Sequence, residues 1–467
     1  MKTRSDHRAA TAPARKESPS REILTAQGKG LRDKCPRRSH AGWSPPADRP
    51  DPVRLIEQSN LGRLPELIPI RYGRMLVSPF TFFRGAPAIM AADLSRTPAT
   101  GVRVQACGDC HLLNFGGFAT PERRLVFDIN DFDETLVAPW EWDVKRLAAS
   151  FVVAAGVNRF RASEARAAAS TCVRAYRRRT AEFAAMRTLD MWYSRIDAEA
   201  VEAVIKEADD RMRLRKRIRK NARQGAAGKG FPKLTRGPGG RLVICDNPPL
   251  LFHRPGDKGR EFEAQLAQAL AGYRESLAFE RRQLLDRYRL MDAATKVVGV
   301  GSVGTFCAVA LLMAGPGDPL FLQVKEARAS VLEPYAGESP FASRGERIVS
   351  GQRLMQSASD IFLGWTTGAA GRHFYVRQLR DMKLKPQVEV FSPAMLACYA
   401  ELCGWALARA HARSGQAALI SGYLGKSDRF EEAVADFAVA YAEQNERDYR
   451  ALGEAARSGR IKVIRDA

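Results

Sequence analysis

Seven side chains able to ligate a cation or move a proton crowd into one stretch of this chain. In GDCHLLNFGGFATPERRLVFDINDFDE, residues Asp109, His111, Asn114, Asp128, Asp131, Asp133 and Glu134 fall within 26 positions. Carboxylates beside an apolar run such as LVF need a reason, because burying unpaired charge is costly. A hard cation such as Mg2+ supplies one, since it takes oxygen ligands from one or two carboxylates together with phosphate oxygens. The competing reading is a set of Asp and Asn residues that cap turns.

A second motif lies far downstream. Gly299-Val300-Gly301-Ser302-Val303-Gly304 is a GxGxxG. Closing a strand and opening a helix, it would bind a dinucleotide. At the turn of a hairpin that leads to a lysine-bearing strand, it would cover phosphates instead. LFLQVKEA alternates like a strand and ends in Lys325, 21 residues after Gly304. A lysine on an apolar strand calls for an anionic partner; the plainer alternative is a strand end at the surface. Cys107-Gly108-Asp109-Cys110-His111 matches CxxCH, but covalent haem needs an exported chain and zinc needs a second ligand pair, and neither is indicated. His411, in ALARAHARSG, reads as a satisfied histidine on a helix face.

These residues also carry a resemblance. Gly108-Asp109-x-His111-x-x-Asn114 resembles the GDxHxxN catalytic loop of aminoglycoside phosphotransferase-like and choline kinase-like enzymes, and Asn130-Asp131-Phe132-Asp133 looks like their metal-binding strand end. Trp142-Asp143-Val144-Lys145-Arg146-Leu147-Ala148 is similar to the helix start that follows there, and YVRQL to the hinge between lobes. ALARAHARSG resembles the helix that leads into the loop. The order is inverted, because the loop near 109 precedes the glycine turn near 299. The resemblance therefore implies an α+β, protein-kinase-like two-lobed fold, circularly permuted, with a helical insert. The blocks SPFTFFRG, GDCHLLNFG, VFDINDFDET, PWEWDVKRLAAS, FLQVKEA, GQRLMQ and FYVRQLRDMK, over roughly 51–450, look like the bacterial DUF2252 family.

What the kinase resemblance implies is ATP-dependent phosphoryl transfer to an acceptor that the sequence does not name. Asp109 would orient or deprotonate the acceptor hydroxyl, and His111 would shape the loop. Asn114 and Asp131 would hold Mg2+, with Asp128 a second-choice ligand. Lys325 would contact the ATP phosphates, and Gly299, Gly301, Ser302 and Gly304 would cover them. The acidic partner of Lys325 is not evident; Glu333 and Glu346 are the candidates. Nucleotidyl transfer would use the same parts. Two rival readings remain: a non-catalytic, nucleotide- or anion-binding pseudokinase, and a Rossmann-type NAD(P) oxidoreductase with a helix after Gly304.

Positioning these residues takes a sizeable core. The chain has 467 residues, of which 45% are hydrophobic, enough to bury one. The expected units are a disordered basic tail over 1–50, a catalytic-loop part over 51–150 and a helical region over 151–292. A strand-rich nucleotide-binding unit over 293–390 and C-terminal helices over 391–467 complete it. Long helices are expected over 161–186, 198–223, 261–292, 393–414 and 431–455, with GAAGKG as a flexible loop. The net charge of +22 points to an anionic partner. Twelve Lys and Arg against five Asp and Glu fall in the tail, and eight of the thirteen residues in 211–223 are basic. Eight cysteines in apolar surroundings and no apolar leader suggest a reducing, cytoplasmic setting. The uncharged run 297–317 holds five glycines and a proline, so no membrane span is expected.

Overall fold

The stretch WEWDVKRLAASFVVAAGV is apolar nearly all round, the signature of a helix surrounded by protein. It forms Trp140–Val157, with all but Gly156 and Val157 buried. Ala162–Ala185, Pro393–Ser414 and Arg429–Arg457 pack around it, so the largest core draws on both ends of the sequence. The computed structural model describes residues 19–465 apart from 227–234, 237–241, 298, 369–370 and 380–382. The architecture is mixed α+β, with several small sheets beside the helices.

The principal sheet has six antiparallel strands, in the order Gly364–Thr367, His373–Gln378, Asp318–Glu326, Cys307–Gly315, Arg289–Lys296, Leu251–Phe252. Its faces follow the period-two rule. Ala308, Ala310 and Leu312 face a core with Phe262, Leu266 and Tyr273 of the helix Gly256–Glu275, while Val309 and Leu311 face Ile244 and Leu251. A hairpin of Phe115–Ala119 and Leu125–Ile129 turns through TPER, as the sequence suggests.

Several expectations need correction. The tail over 1–50 is not a solvated extension where it is described; residues 1–18 lie outside the described residues. Arg21–Lys34 is a helix capped by Ser20, and it packs on Ala417–Leu424. Charges that read as solvated are donors to distant carbonyls: Arg32 Nε reaches Tyr423 O at 2.9 Å and Arg37 reaches Leu424 O at 2.7 Å. Arg49 is clamped between Asp93 and Asp448. The helix expected over 198–223 is two, Ala198–Val204 and Ala208–Ala226, and most of GAAGKG lies outside the described residues. The helix expected over 261–292 is two, Gly256–Glu275 and Phe279–Leu285, and it gives way to the strand Arg289–Lys296, whose mixed sequence RLMDAATK shows no clear alternation. The uncharged run 297–317 is a turn and a strand, and no helix among the described residues is long and apolar enough to cross a membrane.

The structure also removes the dinucleotide reading. Gly299–Gly304 leads into the strand Cys307–Gly315, which pairs antiparallel with Arg289–Lys296. There is no helix N-terminus after Gly304 to receive a pyrophosphate.

Candidate active site

The loop that carries Asp109 is held from behind. Gly108 takes φ +85°, and a Cβ there would lie 2.3 Å from Glu134 O, so only glycine fits. Asp143, in the first turn of Trp140–Val157, accepts from the backbone N–H groups of Cys107 at 2.6 Å and Gly108 at 3.0 Å. His411 Nε2 lies 3.2 Å from the same carboxylate, and Tyr176 hydroxyl lies 2.8 Å from His411 Nδ1. His411 is therefore satisfied, as expected, within a buried chain that fixes the loop. One turn further on, Arg146 donates to Asp109 Oδ1 through Nε at 2.9 Å and Nη2 at 2.5 Å. Asp109 Oδ2 is left to the cleft and to His111, whose Nε2 is 3.8 Å away.

Electrostatics sets the protonation of this group. Burial raises the Asp109 carboxyl above its ordinary value, although Arg146 and Arg84 oppose it. Burial, then the charges of Arg84 and Arg146, push His111 well below its ordinary value, so its ring is neutral. Asn114 donates its amide to Asp109 O at 2.6 Å, which leaves Oδ1 as the atom a cation would use. The Cys107 thiol is pushed up to about 11: the hydrogen bond with Cys110 favours the thiolate, but burial and the charge of Asp143 outweigh it. Burial raises Cys110 further. Both thiols stay protonated and serve as packing, with Cys107 Sγ on Asp131 O at 3.3 Å.

Lys325 finds its partner in Asp133, at 2.6 Å, and not in Glu333 or Glu346. Glu333 accepts from Ser330 N–H, and Glu346 sits in the first turn of its own helix. Asp133 also accepts from Tyr375 hydroxyl at 2.5 Å and from Ser302 Oγ at 3.3 Å. Burial alone would raise Asp133, yet Lys325, the Tyr375 hydroxyl and the charge of Arg377 hold it down to about 2. Asp131 goes the other way: burial and the neighbouring Asp133 charge raise it. A carboxylate under such load is stabilised by an added cation.

The glycine turn closes the cleft from the sheet side. Val300–Ser302 forms a single 3-10 turn, gripped by Arg63, which donates to Gly301 O at 2.8 Å and to Val303 O. One cleft of 1180 Å³ is lined by Asp109, His111, Asn114 and Asp131 from one segment and by Gly299, Gly301, Ser302 and Lys325 from the other. Two candidates stand outside it. Gly304, at φ +84°, packs against Arg63 and accepts from Leu64 N–H at 2.7 Å, so it shapes the turn. Asp128 is fully buried; both its oxygens lie 2.7 Å from Arg409 Nη2, and Ser357 donates to it twice. With its oxygens so occupied, it is a structural anion and not a metal ligand.

Among the described residues no group of three or more His, Cys, Asp and Glu side chains is poised to hold a metal. The donors present, Asp131 and Asn114, fit a cation that binds through few protein ligands and completes its shell with water and phosphate, as Mg2+ does. Among the described residues the cleft lining counts eleven Lys and Arg against five Asp and Glu, which favours an anionic ligand. Of the basic run, Arg217 reaches this lining and donates to Lys385 O at 2.7 Å.

A family model described as "Uncharacterized protein conserved in bacteria (DUF2252)" matches residues 63–455. The chain belongs to the DUF2252 family. No curated protein and no solved structure matches it. The part matched to DUF2252 takes in the Asp109 loop, Asp131, the glycine turn and Lys325. Sequence reasoning missed Asp133 as the lysine's partner, though it stands inside the acidic cluster. It also missed Arg63, Arg71 and Arg328, which carry no motif of their own, and Arg84, which sits in the block SPFTFFRG without a chemical pattern around it.

Proposed function

We propose that this DUF2252 protein is an ATP-dependent, Mg2+-assisted phosphotransferase with a kinase-like two-lobed arrangement in circularly permuted order. The observation that carries the reading is the Lys325–Asp133 pair, which brings the glycine turn and the lysine strand over the Asp109–Asn114–Asp131 group. Phosphoryl transfer asks a protein mainly for positioning and charge neutralisation, and this cleft offers both. Lys325 and the glycine turn would hold the nucleotide phosphates. Asp131 and Asn114 would hold Mg2+, which neutralises charge on the transferring group. Asp109 Oδ2, with Oδ1 pinned by Arg146, would orient the acceptor hydroxyl and take its proton.

The chain order supports the permutation. In the resembling enzymes a helix leads directly into the catalytic loop. Here the end of Pro393–Ser414 lies against the strand Arg103–Ala106 that enters the loop, with Gln105 N–H donating to Ser414 Oγ at 3.2 Å. That is a contact between sequence-distant segments where those enzymes have a continuous chain. Circular permutation is tolerated where the original ends lie close together.

Calorimetry with ATP and Mg2+ tests the reading. The wild type should bind, and Lys325→Ala and Asp131→Ala should each weaken binding at least about tenfold, as loss of a charge-assisted contact does. Unchanged affinity in both variants overturns the site. Asp109→Asn should bind nucleotide normally and lose transfer.

A further inference from the structure

The cleft, at 1180 Å³, is larger than the roughly 300–1,000 Å³ of a single small-molecule site, and one part of its lining is rich in arginine. Arg63, Arg71, Arg84 and Arg328 line it, and none of the four forms an ion pair among the described residues. Buried charges are ordinarily paired.

Three of these arginines are braced by neutral oxygens. Arg63 holds Ser59 O and the glycine turn, Arg328 holds Ser59 O and Leu61 O, and Arg71 holds Gly85 O and the Ser59 and Asn60 side chains. These oxygens carry no charge, and the carboxylates of Glu134 and Glu326 offset Arg63 only in part. Burial and mutual repulsion bring Arg63 down to about 8 and Arg71 to about 10. Arg84 is different, because its buried Nε has no partner and its side chain makes no hydrogen bond among the described residues. Its Nη2 lies 3.9 Å from where a Cβ on Gly299 would be, and the charges of Asp109, Glu389 and Asp131 favour its charged form against burial. The guanidinium thus stands between the glycine turn and the Asp109 group.

Resting on the phosphotransferase reading, we infer that the acceptor is itself an oxyanion, a phosphorylated or carboxylated small molecule, seated on this wall with Arg84 as its direct contact. A nucleotide with Mg2+ bound carries too little net charge to offset these four arginines as well as Lys325, because the cation cancels part of the phosphate charge. The planar guanidinium fork suits either oxyanion in bidentate geometry. An acceptor anchored there presents a hydroxyl to Asp109 Oδ2.

The test uses the full chain saturated with a non-hydrolysable ATP analogue and Mg2+, into which inorganic phosphate or succinate is titrated by calorimetry. At least one anion should bind on top of the analogue, and the one that does names the acceptor class. Arg84→Ala should weaken that binding about tenfold or more and leave the analogue's affinity within about twofold. Arg84→Lys, which keeps the charge and loses the fork, should fall between them, and thermal melts of both variants confirm folding. Analogue binding without any anion binding overturns the second site alone. So does an Arg84→Ala chain that weakens analogue and anion equally, because the arginines then serve the nucleotide. Failure of the wild type to bind the analogue overturns the phosphotransferase reading itself.

Discussion

Lys325 and Asp133 are 192 residues apart in sequence and 2.6 Å apart in space. Their pairing ties the principal sheet to the acidic loop, and it has a pH signature. The Asp133 carboxyl is held at about 2, below its ordinary value near 3.8. A depressed carboxyl stabilises the fold above its unfolded-state value and loses that contribution as pH falls through the folded one. The window is therefore about pH 4 down to about pH 2. Lys325→Ala should cost about 3 kcal/mol at pH 7, the lower end for breaking a buried pair. It should also flatten the acid limb. Urea unfolding at stepped pH measures both, and an unaltered acid limb would show that other groups hold Asp133.

Asp128, paired with Arg409, differs from Asp131, the carboxylate proposed to hold Mg2+. Asp128 and Arg409 are both fully buried, and Asp128 accepts from Arg409, Ser357 and Ile129 N–H. Asp128→Ala should destabilise by about 3–5 kcal/mol, because Arg409 is left charged and unpaired. Pairing it with Arg409→Met should recover part of that loss. Neither change should alter the Mg2+ dependence of nucleotide binding in chains that still fold, whereas Asp131→Ala should. Unfolding midpoints and calorimetry read the two effects separately.

The candidate site was legible wherever chemistry and short spacing coincide. Asp109, Asn114 and Asp131 stand within 23 positions, and Lys325 announces itself as the first charge after the apolar run LFLQV. The hairpin turn at TPER and the helix Pro393–Ser414 follow from turn chemistry and capping. What stayed hidden depends on tertiary partners. Asp128 has the composition of a ligand, and only its contact with Arg409, 281 residues away, shows otherwise. The strand Arg289–Lys296 has a weak pattern of its own and is held by its neighbours in the sheet. The basic segment at 21–41 looks solvated because its acceptors are carbonyls near residue 423.

Two glycines in the helix Arg21–Lys34 give opposite expectations. A Cβ at Gly28 would lie 2.0 Å from Leu419 O and 2.9 Å from Tyr423 N, whereas one at Gly30 meets nothing within 4 Å. Gly28→Ala should therefore force the helix off Ala417–Leu424 and cost about 3 kcal/mol, at the upper end for overpacking. Gly30→Ala should raise stability by about 0.5–1 kcal/mol through helix propensity alone. Thermal melts of the two variants decide whether this helix is docked in solution. Equal, small effects would mean that it is not.

Glu134 bears the opposite pH signature to Asp133. It lines the cleft one residue further on, and its Oε2 accepts from Val331 N–H at 2.7 Å. Burial pushes its carboxyl up to about 7; the Val331 hydrogen bond and Arg347 oppose the rise, and the charges of Asp109 and Asp133 add to it. The folded state therefore holds this proton more tightly than the unfolded chain, where the value is near 4.5. Stability falls as pH rises from about 4.5 through 7, and the full cost is present above that. Glu134→Gln keeps the acceptor for Val331 and removes the ionisation. Its advantage over the wild type should be absent near pH 4 and grow between pH 4.5 and 7. By pH 8 it should reach about 2 kcal/mol, somewhat less than the full shift at ~1.4 kcal/mol per unit. Urea midpoints at pH 4, 6 and 8 measure this directly. A gap that is constant across the three would mean that packing, and not proton release, sets the difference.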